Sequence, residues 1–427
     1  MNVVIIAMNC IYDAILNLLD WAIQKAGSMN FVLSRPESKL KKFVLGQRAG
    51  AYSLAGWNGS RKVLWVHASS FGEFNIARPL IVKLKEDYGY YIVMTFFSPT
   101  GYEAVRKMSK DASRVDEVLY LPLDTPKRSR EFVEALRPER CLFMVSEIWI
   151  NYLRQLKRRR IPAYLVSAKI SRKSAAVRWY GAPFREALKC FSKIMVLDAA
   201  SEASLRGKGL DNVLMSGDPL FDNALSVAET SYSNRIIEAF CSGADVFIAG
   251  SVSDRKDLRL VSFLANAHRD RKFIFVPHAV SEEILNEMIA SVDGVCMLYS
   301  ECGEDTDFSG VQVLVIDFLG ALSRIYRFCR YAYVGGGFTP YLHSVIEATV
   351  YGLPVAFGPE IDRKHTPQEL VSLGIGCVVR SEKELDAWFR SLKDNEKELE
   401  RIKSVAADYA KRNSGATEQV VRLIMER

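Results

Sequence analysis

The feature that most constrains the fold is a long alternation of short apolar runs with segments of helical periodicity. Continuous apolar runs are typical of strands buried on both faces of a parallel sheet. The segments between them, such as 79–86, 125–136 and 149–159, have the pattern of crossover helices. The runs fall at 63–68, 91–97, 118–122, 141–146, 163–167, 193–197 and 213–216, and then at 246–249, 273–276, 313–316, 331–334 and 355–357.

The two series of runs predict an α/β protein with two Rossmann-like domains in tandem. The polar stretch 229–234 separates the series, so we expect an N-terminal domain over 51–228 and a C-terminal domain over 229–427. Residues 1–50 are expected to form an apolar helix and a basic linker. The segments 394–403 and 404–425 are also helical in pattern and could cross back to the first domain.

Composition and charge exclude several classes of protein. The 427 residues are 49% hydrophobic and 25% charged, which excludes a disordered or collagenous chain. The mean hydropathy of +0.01 is too low for a polytopic membrane protein. Residues 1–225 carry 34 Lys+Arg against 21 Asp+Glu, whereas residues 226–427 carry 23 against 29. The first half is therefore expected to meet an anionic partner, and the lack of a nucleic-acid motif disfavours nucleic acid.

The first 24 residues are apolar and contain no basic residue. The longest uncharged run, 1–12, is too short to span a membrane, and a secretory signal would need a basic start. We expect a helix that lies in a membrane surface; the alternative is a helix packed on the protein's own body. Its polar side chains recur at helical spacing, as Asn2, Asn9, Asp13, Asn17, Asp20 and Gln24. The basic residues that follow, and that suit anionic headgroups, are Lys39, Lys41, Lys42 and Arg48.

Polar residues that follow the apolar runs of the first domain are candidates for a site, because ligands bind beyond the carboxyl ends of parallel strands. Glu73 follows the first run at the start of a helix, where its carboxylate suits a general base or simply decorates the first turn. Ser98 and Thr100 follow the second run and suit an anion. Glu147 and Lys169 follow the fourth and fifth runs, and they either support the site or form a structural ion pair.

The strand ends of the second domain carry glycines, histidines and one carboxylate. A glycine triplet lets a ligand approach the backbone, and Glu347 in the following helix suits ribose hydroxyls. The triplet matches neither the dinucleotide fingerprint nor a Walker A loop, which disfavours NAD enzymes and P-loop NTPases. No segment has metal-ligand spacing. The candidates are Gly250, Ser251, Pro277, His278, Gly335, Gly336, Gly337, His343, Ser344, Val345, Ile346 and Glu347.

Several segments carry a resemblance to a known family, namely WVHASSFGEF (65–74), TFFSPTG (95–101), YLPLD (120–124), GGGF (335–338) and FGP (357–359). With the two-domain pattern, they resemble GT-B glycosyltransferases, in which two Rossmann-like domains face each other, the acceptor on the first and the nucleotide on the second. More narrowly, they resemble the 3-deoxy-D-manno-octulosonic acid (Kdo) transferases over about residues 60–410. The apolar N-terminus is similar to that family's membrane-associating segment.

The resemblance implies transfer of Kdo from CMP-Kdo to a phosphorylated lipid A precursor on the cytoplasmic face of the inner membrane. It also implies inversion at the anomeric carbon, with neither a metal nor another cofactor. Glu73 matches the family's general base, which would deprotonate the acceptor hydroxyl. A phosphorylated acceptor would account for the positive charge of the first domain. The residues that match the family's CMP-binding segments are Pro277, His278, Leu319, Gly320, Ala321, Ser344, Val345, Ile346 and Glu347.

The sequence departs from the family where the family commonly carries polar or charged side chains. Val145 and Leu220 stand where the family has a charged and a basic residue that are thought to support the transition state. Ala321 replaces an acidic residue, Ser344 an asparagine and His278 often an arginine. These losses imply slower chemistry or a changed acceptor, and one hypothesis is that Glu147 and Lys169 substitute for the lost charges.

Two alternative functions remain open at this point. One is another GT-B enzyme with a different sugar nucleotide or acceptor. The other is a catalytically silent, membrane-bound relative that binds a nucleotide sugar or a partner enzyme, which the lost charges favour.

Overall fold

The computed structural model describes residues 3–26, 39–48, 54, 56–169, 181–362 and 364–426. The chain divides into two compact units, Met1–Asn223 with Ser414–Arg427, and Ala224–Asn413. Each unit contains a parallel sheet covered by helices, which confirms the predicted α/β class. The division falls five residues before the expected boundary at 228.

The first unit is built on a parallel sheet whose strands are β1 (Val63–Ala68), β2 (Tyr91–Phe96), β3 (Glu117–Tyr120), β4 (Arg140–Met144), β5 (Ala163–Ala168), β6 (Lys193–Val196) and β7 (Val213–Met215). Their order across the sheet is β3-β2-β1-β4-β5-β6-β7. The strand order reverses beside β1, which is where a doubly wound sheet opens a crevice for ligands.

The helices of this part of the chain are α1 (Val3–Ala26), α2 (Lys39–Arg48), α3 (Phe71–Tyr88), α4 (Pro99–Lys107), α5 (Lys110–Ser113), α6 (Pro126–Leu136), α7 (Ile150–Arg158), α8 (Ala182–Leu188), α9 (Ala199–Arg206) and α10 (Pro219–Glu229). Helix α3 begins earlier than the predicted start at 79, because Ser70 caps it, and Pro79 lies inside it.

The second unit has a similar sheet, with β8 (Val246–Val252), β9 (Lys272–Pro277), β10 (Cys296–Leu298), β11 (Val313–Val315), β12 (Tyr331–Val334), β13 (Val355–Phe357) and β14 (Gly376–Val378). Their order is β10-β11-β9-β8-β12-β13-β14, and neighbours are parallel. The edge strands β10 and β14 were not predicted, because each is three residues long and only half-buried.

The helices that follow α10 are α11 (Arg235–Cys241), α12 (Arg255–Ala267), α13 (Glu282–Ala290), α14 (Leu322–Ile325), α15 (Ile346–Thr349), α16 (His365–Ser372), α17 (Glu382–Leu392), α18 (Glu396–Asn413) and α19 (Ala416–Met425). Most alternate with the strands, as expected of crossover connections in a parallel sheet.

Large aromatic side chains fill one face of the first sheet. The fully buried ring of Trp65 makes edge contacts with Phe132, Phe143 and Tyr152, with centroid distances of 5.2, 5.1 and 5.4 Å. Burial of such rings contributes much of a core's stability, and edge geometry suits their quadrupoles. This packing fixes the positions of β1, β4, α6 and α7 relative to one another.

The last helix, α19, belongs to the first unit. Val420, Val421 and Ile424 are buried in the cluster on the opposite face of the first sheet. The carboxylate of Asp222 accepts hydrogen bonds from the backbone N–H of Gly415 at 2.7 Å and of Thr417 at 2.6 Å, and so caps the helix. The predicted terminal helices are therefore present, and the second of them packs on the first unit.

Helix α1 lies on the first unit with its polar side inward. Tyr12 donates to Asp124 at 2.8 Å, and Asp13 accepts from Asn151 at 2.8 Å. Asp20 accepts from the guanidinium of Arg128 at 2.7 and 2.8 Å. The polar stripe of the sequence thus holds the helix against the protein, as the alternative interpretation expected.

The apolar side of α1 points away from the first unit. Its exposed side chains are Ile6, Ile11, Ile15, Leu18, Leu19 and Trp21. By length and composition alone, the stretch Ile5–Lys25 could also cross a membrane, a test that signal sequences near an N-terminus pass as well. A helix that buries its polar side and exposes its apolar side needs a second apolar environment.

We predict that Asp124→Ala weakens the first unit far more than Asp20→Ala. Asp124 is fully buried, and its carboxylate accepts from Tyr12 and from the backbone N–H groups of Asn151 and Tyr152 at 3.0 and 2.9 Å. Loss of these bonds leaves buried donors without acceptors. The free energy of unfolding measured in urea should therefore fall by about 3 kcal/mol. Asp20 makes a more exposed ion pair, whose loss costs about 1 kcal/mol or less. Equal decreases in the free energy of unfolding for the two variants would contradict the role of Asp124 in holding α1 against the first unit.

Candidate active site

The turn between β1 and α3 holds the carboxylate of Glu73. Ser70 caps α3, and its hydroxyl accepts from the backbone N–H of Glu73 at 3.3 Å. In return, Glu73 Oε2 accepts from the backbone N–H of Ser69 at 2.6 Å. This reciprocal pattern is close to a capping box, so part of the role of Glu73 is to terminate the helix.

The protonation of Glu73 is unusual for a capping residue. Burial, with a further contribution from the negative charge of Glu147, raises its pKa to about 7. The hydrogen bonds from the backbone at Ser69 and Ser70 oppose this shift without cancelling it. A carboxyl group with a pKa near neutrality can accept a proton efficiently at physiological pH.

Glu147 lies after β4 and is held by two donors. Its Oε2 is 3.1 Å from His67 Nε2 and 2.7 Å from Trp149 Nε1. Burial alone would raise its pKa, but the hydrogen bond and charge of His67, with the hydrogen bonds of Ser69 and Trp149, keep that pKa below its usual value. The two carboxyls therefore differ, with Glu147 the stronger acid.

His67 and Thr95 occupy neighbouring positions on β1 and β2, because the parallel register pairs them. Both side chains are fully buried. His67 Nδ1 lies 2.9 Å from Thr95 Oγ1, which also accepts from Trp65 Nε1 at 2.8 Å. Neither His67 nor Thr95 was predicted as a site residue. Their signal is a polar residue inside each of two apolar runs.

The other candidates of the first unit lie at the same edge of the sheet. Ser98 precedes α4, and its backbone N–H donates to the carbonyl of Ser69 at 3.2 Å, which joins the two turns. Thr100 is exposed on the first turn of α4. Lys169 is exposed, and its backbone N–H donates to the carbonyl of Val145 at 3.0 Å.

Val145 and Leu220, which stand where the Kdo transferases that the sequence resembles carry charged residues, have unusual local surroundings. Val145 has φ of +59°, which is strained for a β-branched residue, and it directly precedes the segment that carries Glu147. Leu220 is the second residue of α10 and lies two residues after Asp218. Burial raises the pKa of Asp218 to about 6, and the positive charge of Lys169 opposes this rise. Lys169 therefore acts on the segment that contains Leu220.

In the second unit, the glycine triplet after β12 is required by the backbone around it. A Cβ atom on Gly335 would lie 2.2 Å from Ser251 O, and one on Gly337 would lie 2.5 Å from Gly358 N. Gly336 has φ of +85°. These contacts alone require glycine here, and the approach of a ligand to the same backbone stays a prediction. Gly250 likewise gives space to the hydroxyl of Tyr326.

Asp257 holds this turn together, and sequence reasoning missed it. The side chain is fully buried and accepts from the backbone N–H of Gly336 at 2.8 Å and of Ser253 at 3.1 Å. Tyr333 donates to it at 2.6 Å. The available signal was an acidic residue on the first turn of α12, three residues after the capping Asp254.

Several polar groups near this turn have no partner within the described residues. They are the hydroxyls of Ser344 and Tyr326, and the half-buried carboxyl of Glu347 lies in the same region. Burial raises the pKa of Glu347 to about 7, and its charge acts on Tyr326. Helix α15 has only one turn, so the expected helical anion site before Glu347 is weak. Unpaired buried polar groups are costly unless a ligand satisfies them.

The remaining candidates surround the same strand ends. The rings of His278 and His343 stack with centroids 4.2 Å apart, and burial with the charges of His278 and Lys364 lowers the pKa of His343 to about 4. Ser251 has φ of +53°, and Gly320 has φ of +92°. Leu319 is exposed. Four candidates are buried, so their side chains serve the core, namely Pro277, Ala321, Val345 and Ile346.

No cluster of three His, Cys, Asp or Glu residues suited to a metal ion occurs in the described part of the chain. The candidate groups thus form two sets, a pair of unlike carboxyls in the first unit and an unpaired polar set in the second.

Two parallel-sheet α/β units of this kind define the GT-B class of fold. Solved structures with a similar fold include the UDP-GlcNAc 2-epimerase from Neisseria meningitidis bound to UDP-GlcNAc, with a TM-score of 0.62 and 14% identity over 86% of this chain and 100% of that chain. The UDP-N-acetylglucosamine 2-epimerase from Rickettsia bellii gives 0.52 and 14%, over 86% and 96%. These similarities concern the fold alone.

The sequence comparisons indicate a narrower class of protein than the fold does. Residues 44–223 match the family model described as 3-deoxy-D-manno-octulosonic-acid transferase. The 3-deoxy-D-manno-octulosonic acid transferase of Bordetella pertussis is 25% identical over 84% of this chain and 86% of its own. The Haemophilus influenzae protein of the same name is 24% identical over 89% and 90%. The chain is thus similar to Kdo transferases over most of its length, which confirms the resemblance that its motifs predicted.

We predict that Glu73→Gln stabilises the protein at alkaline but not at acidic pH. A pKa raised on folding means that burying the carboxylate costs free energy once the group ionises. The variant should therefore be more stable than wild type by about 2–3 kcal/mol at pH 8, with the difference fading as the pH falls from 7 to below 4.5. Urea unfolding at several pH values measures this. Glu86→Gln, on the exposed side of the same helix, should give no such trend.

Proposed function

We propose that this protein transfers Kdo from CMP-Kdo to a phosphorylated lipid A precursor, with inversion at the anomeric carbon and without a metal. The observation that carries the proposal is the Glu73 carboxyl, which lies partly buried at a strand-to-helix turn and has a pKa near 7. The names of the Bordetella and Haemophilus relatives support the same sugar.

Glu73 acts as the general base in this proposal. It takes the proton of the acceptor hydroxyl as that oxygen attacks the anomeric carbon of Kdo. The new C–O bond forms while the bond to the CMP phosphate breaks, and CMP leaves with the bonding electron pair. The N–H of Ser69 holds Glu73 Oε2 at 2.6 Å, which orients the carboxylate for proton transfer from one direction.

The donor is proposed to bind at the unpaired polar set of the second unit. The carboxylate of Glu347 suits ribose hydroxyls, and the hydroxyl of Ser344 suits a phosphate oxygen. His278 offers an exposed ring as a further donor, since only its partner His343 is buried. A nucleotide would satisfy polar groups that the described residues leave unpaired.

The acceptor is proposed to be a lipid because of helix α1 and the charge of the first half of the chain. The exposed apolar side of α1 would lie in the acyl region, while its polar side stays on the protein. The excess of basic residues before residue 226 suits phosphorylated headgroups. We propose, on the resemblance to the Kdo transferases, that the protein is monotopic and lies on the cytoplasmic face of the inner membrane.

We predict that purified protein forms Kdo-modified lipid from CMP-Kdo and a tetra-acylated lipid A precursor in the presence of EDTA. Glu73→Gln should lower the rate by at least about 100-fold, because general base catalysis contributes about 10²–10⁴. Mass spectrometry of the lipid product measures the reaction. Glu86→Gln, on the same helix, is the matched control and should retain activity.

Each other result of this assay has a distinct meaning. Full activity of Glu73→Gln would remove Glu73 from the base role. Binding of CMP-Kdo without product would favour a different acceptor or a catalytically silent relative. Turnover of another nucleotide sugar in place of CMP-Kdo would favour a GT-B enzyme with a changed donor.

We predict that the double variant Ile15→Glu, Leu18→Glu reduces binding to vesicles of anionic phospholipid by at least about tenfold. These side chains are 61% and 66% exposed, so the change should leave folding intact. Each apolar side chain that enters the bilayer contributes about 1.5–3 kcal/mol. Flotation of protein with vesicles measures binding. Val371→Glu, an exposed change on α16, is the control, and equal flotation of all three proteins would contradict membrane insertion of α1.

A further inference from the structure

Glu147 is held in place by rigid neighbours. Its Oε2 accepts from His67 Nε2 at 3.1 Å and from Trp149 Nε1 at 2.7 Å. His67 is fully buried in β1, and the Trp149 ring packs against Phe97 at 5.0 Å and against His67 at 5.8 Å. A carboxylate between two fixed donors keeps one orientation.

The donors form a chain that runs through the sheet. Trp65 Nε1 donates to Thr95 Oγ1 at 2.8 Å, and His67 Nδ1 lies 2.9 Å from that hydroxyl and 3.1 Å from the carbonyl oxygen of Thr95. The other ring nitrogen, Nε2, faces Glu147 Oε2 at 3.1 Å. These contacts fix the imidazole ring, and the ring in turn fixes the carboxylate of Glu147.

We propose that Glu147 is a positioning residue whose fixed negative charge strengthens Glu73 as a base. This inference rests on the proposed role of Glu73. Glu147 touches neither substrate in this scheme; it acts on the reaction only through the proton affinity of its neighbour. It therefore differs from the idea that Glu147 replaces a lost charge at the transition state.

The opposite shifts of the two carboxyls support this role. Burial raises the pKa of both, but only Glu147 has side-chain donors that lower it again. Glu147 in turn contributes to the raised pKa of Glu73. The two carboxyls lie around the same turn, because the backbone N–H of Ser69 donates to Glu73 Oε2 at 2.6 Å and a hydrogen bond of the Ser69 side chain helps to lower the pKa of Glu147. Glu73 therefore keeps its proton to a higher pH than Glu147 does.

The charged groups that act on this pair come from separate elements. Glu73 lies on α3, Glu147 follows β4, and His67 lies on β1. Lys169 follows β5 and contacts the same segment through its backbone, while its charge acts on Asp218. Among the described residues, Glu147 is the charged group that raises the pKa of Glu73.

The test compares the pH dependence of kcat/KM for wild type and Glu147→Gln between about pH 5 and 9. Removal of the charge of Glu147 should shift the acidic limb of the profile to lower pH by about one unit. At about pH 6 the variant should then keep a roughly fivefold larger share of its own maximal rate than wild type does. Ser146→Ala, an uncharged change in the adjacent residue, should leave the limb where it is.

A merely structural role for Glu147 would lower kcat/KM at every pH without moving the limb, and that result would overturn the inference. If Glu73→Gln is inactive while the limb of Glu147→Gln does not move, only the role of Glu147 fails. If Glu73→Gln is fully active, the base assignment fails and the inference fails with it.

A second measurement needs no activity. The pH dependence of the stability difference between wild type and Glu73→Gln reports the ionisation of Glu73, and the same pair of proteins can be compared in the Glu147→Gln background. The stability difference levels off at the pKa of Glu73 in the folded protein, and we expect that upper limit to fall by about one pH unit in the Glu147→Gln background. An unchanged upper limit overturns the inference, even where Glu147→Gln proves inactive for other reasons.

Discussion

The candidate site of the first unit depends on the position of β1 between β2 and β4 and on the register of these three strands. Register places His67 beside Thr95 on one side and beside Phe143 on the other. A histidine in the fully buried centre of a sheet is costly unless both ring nitrogens have partners. Here one nitrogen bonds across the sheet to Thr95, and the other bonds beyond the strand to Glu147. The requirement to satisfy His67 thus orients a carboxylate at the ligand-binding edge.

The second unit meets a similar requirement with a buried carboxylate and glycines. Asp257 satisfies the backbone N–H of Gly336, and the lack of side chains at Gly335 and Gly337 lets three chain segments meet. Because these groups are paired, the unpaired ones nearby stand out. The hydroxyls of Ser344 and Tyr326 have no hydrogen-bond partner among the described residues, and the charge of Glu347 acts on Tyr326.

The sequence allowed the strands and the base candidate to be predicted, since each depends on local pattern. Buried strands are continuous apolar runs, and Glu73 follows one of them at a helix start. What escaped prediction depends on pairing between distant segments. Thr95 and Asp257 look like ordinary polar residues until a sheet register or a turn brings their partners close. The short edge strands β10 and β14 were not predicted for another reason, because three half-buried residues give no distinct pattern.

Helix α1 connects the proposed membrane anchor to the geometry of the candidate site. Asp124 accepts from Tyr12 of α1 and also from the backbone N–H groups of Asn151 and Tyr152 at the start of α7. The residue just before α7 is Trp149, which donates to Glu147. The same buried carboxylate therefore fixes the helix proposed to meet the lipid and the helix start that orients Glu147. Since α1 uses its polar side chains for this contact, its exposed apolar side is available for the proposed membrane contact. A lipid acceptor taken from a membrane at α1 would reach the carboxyl of Glu73, whose protonation depends on Glu147, and the fold already holds Glu147 in place.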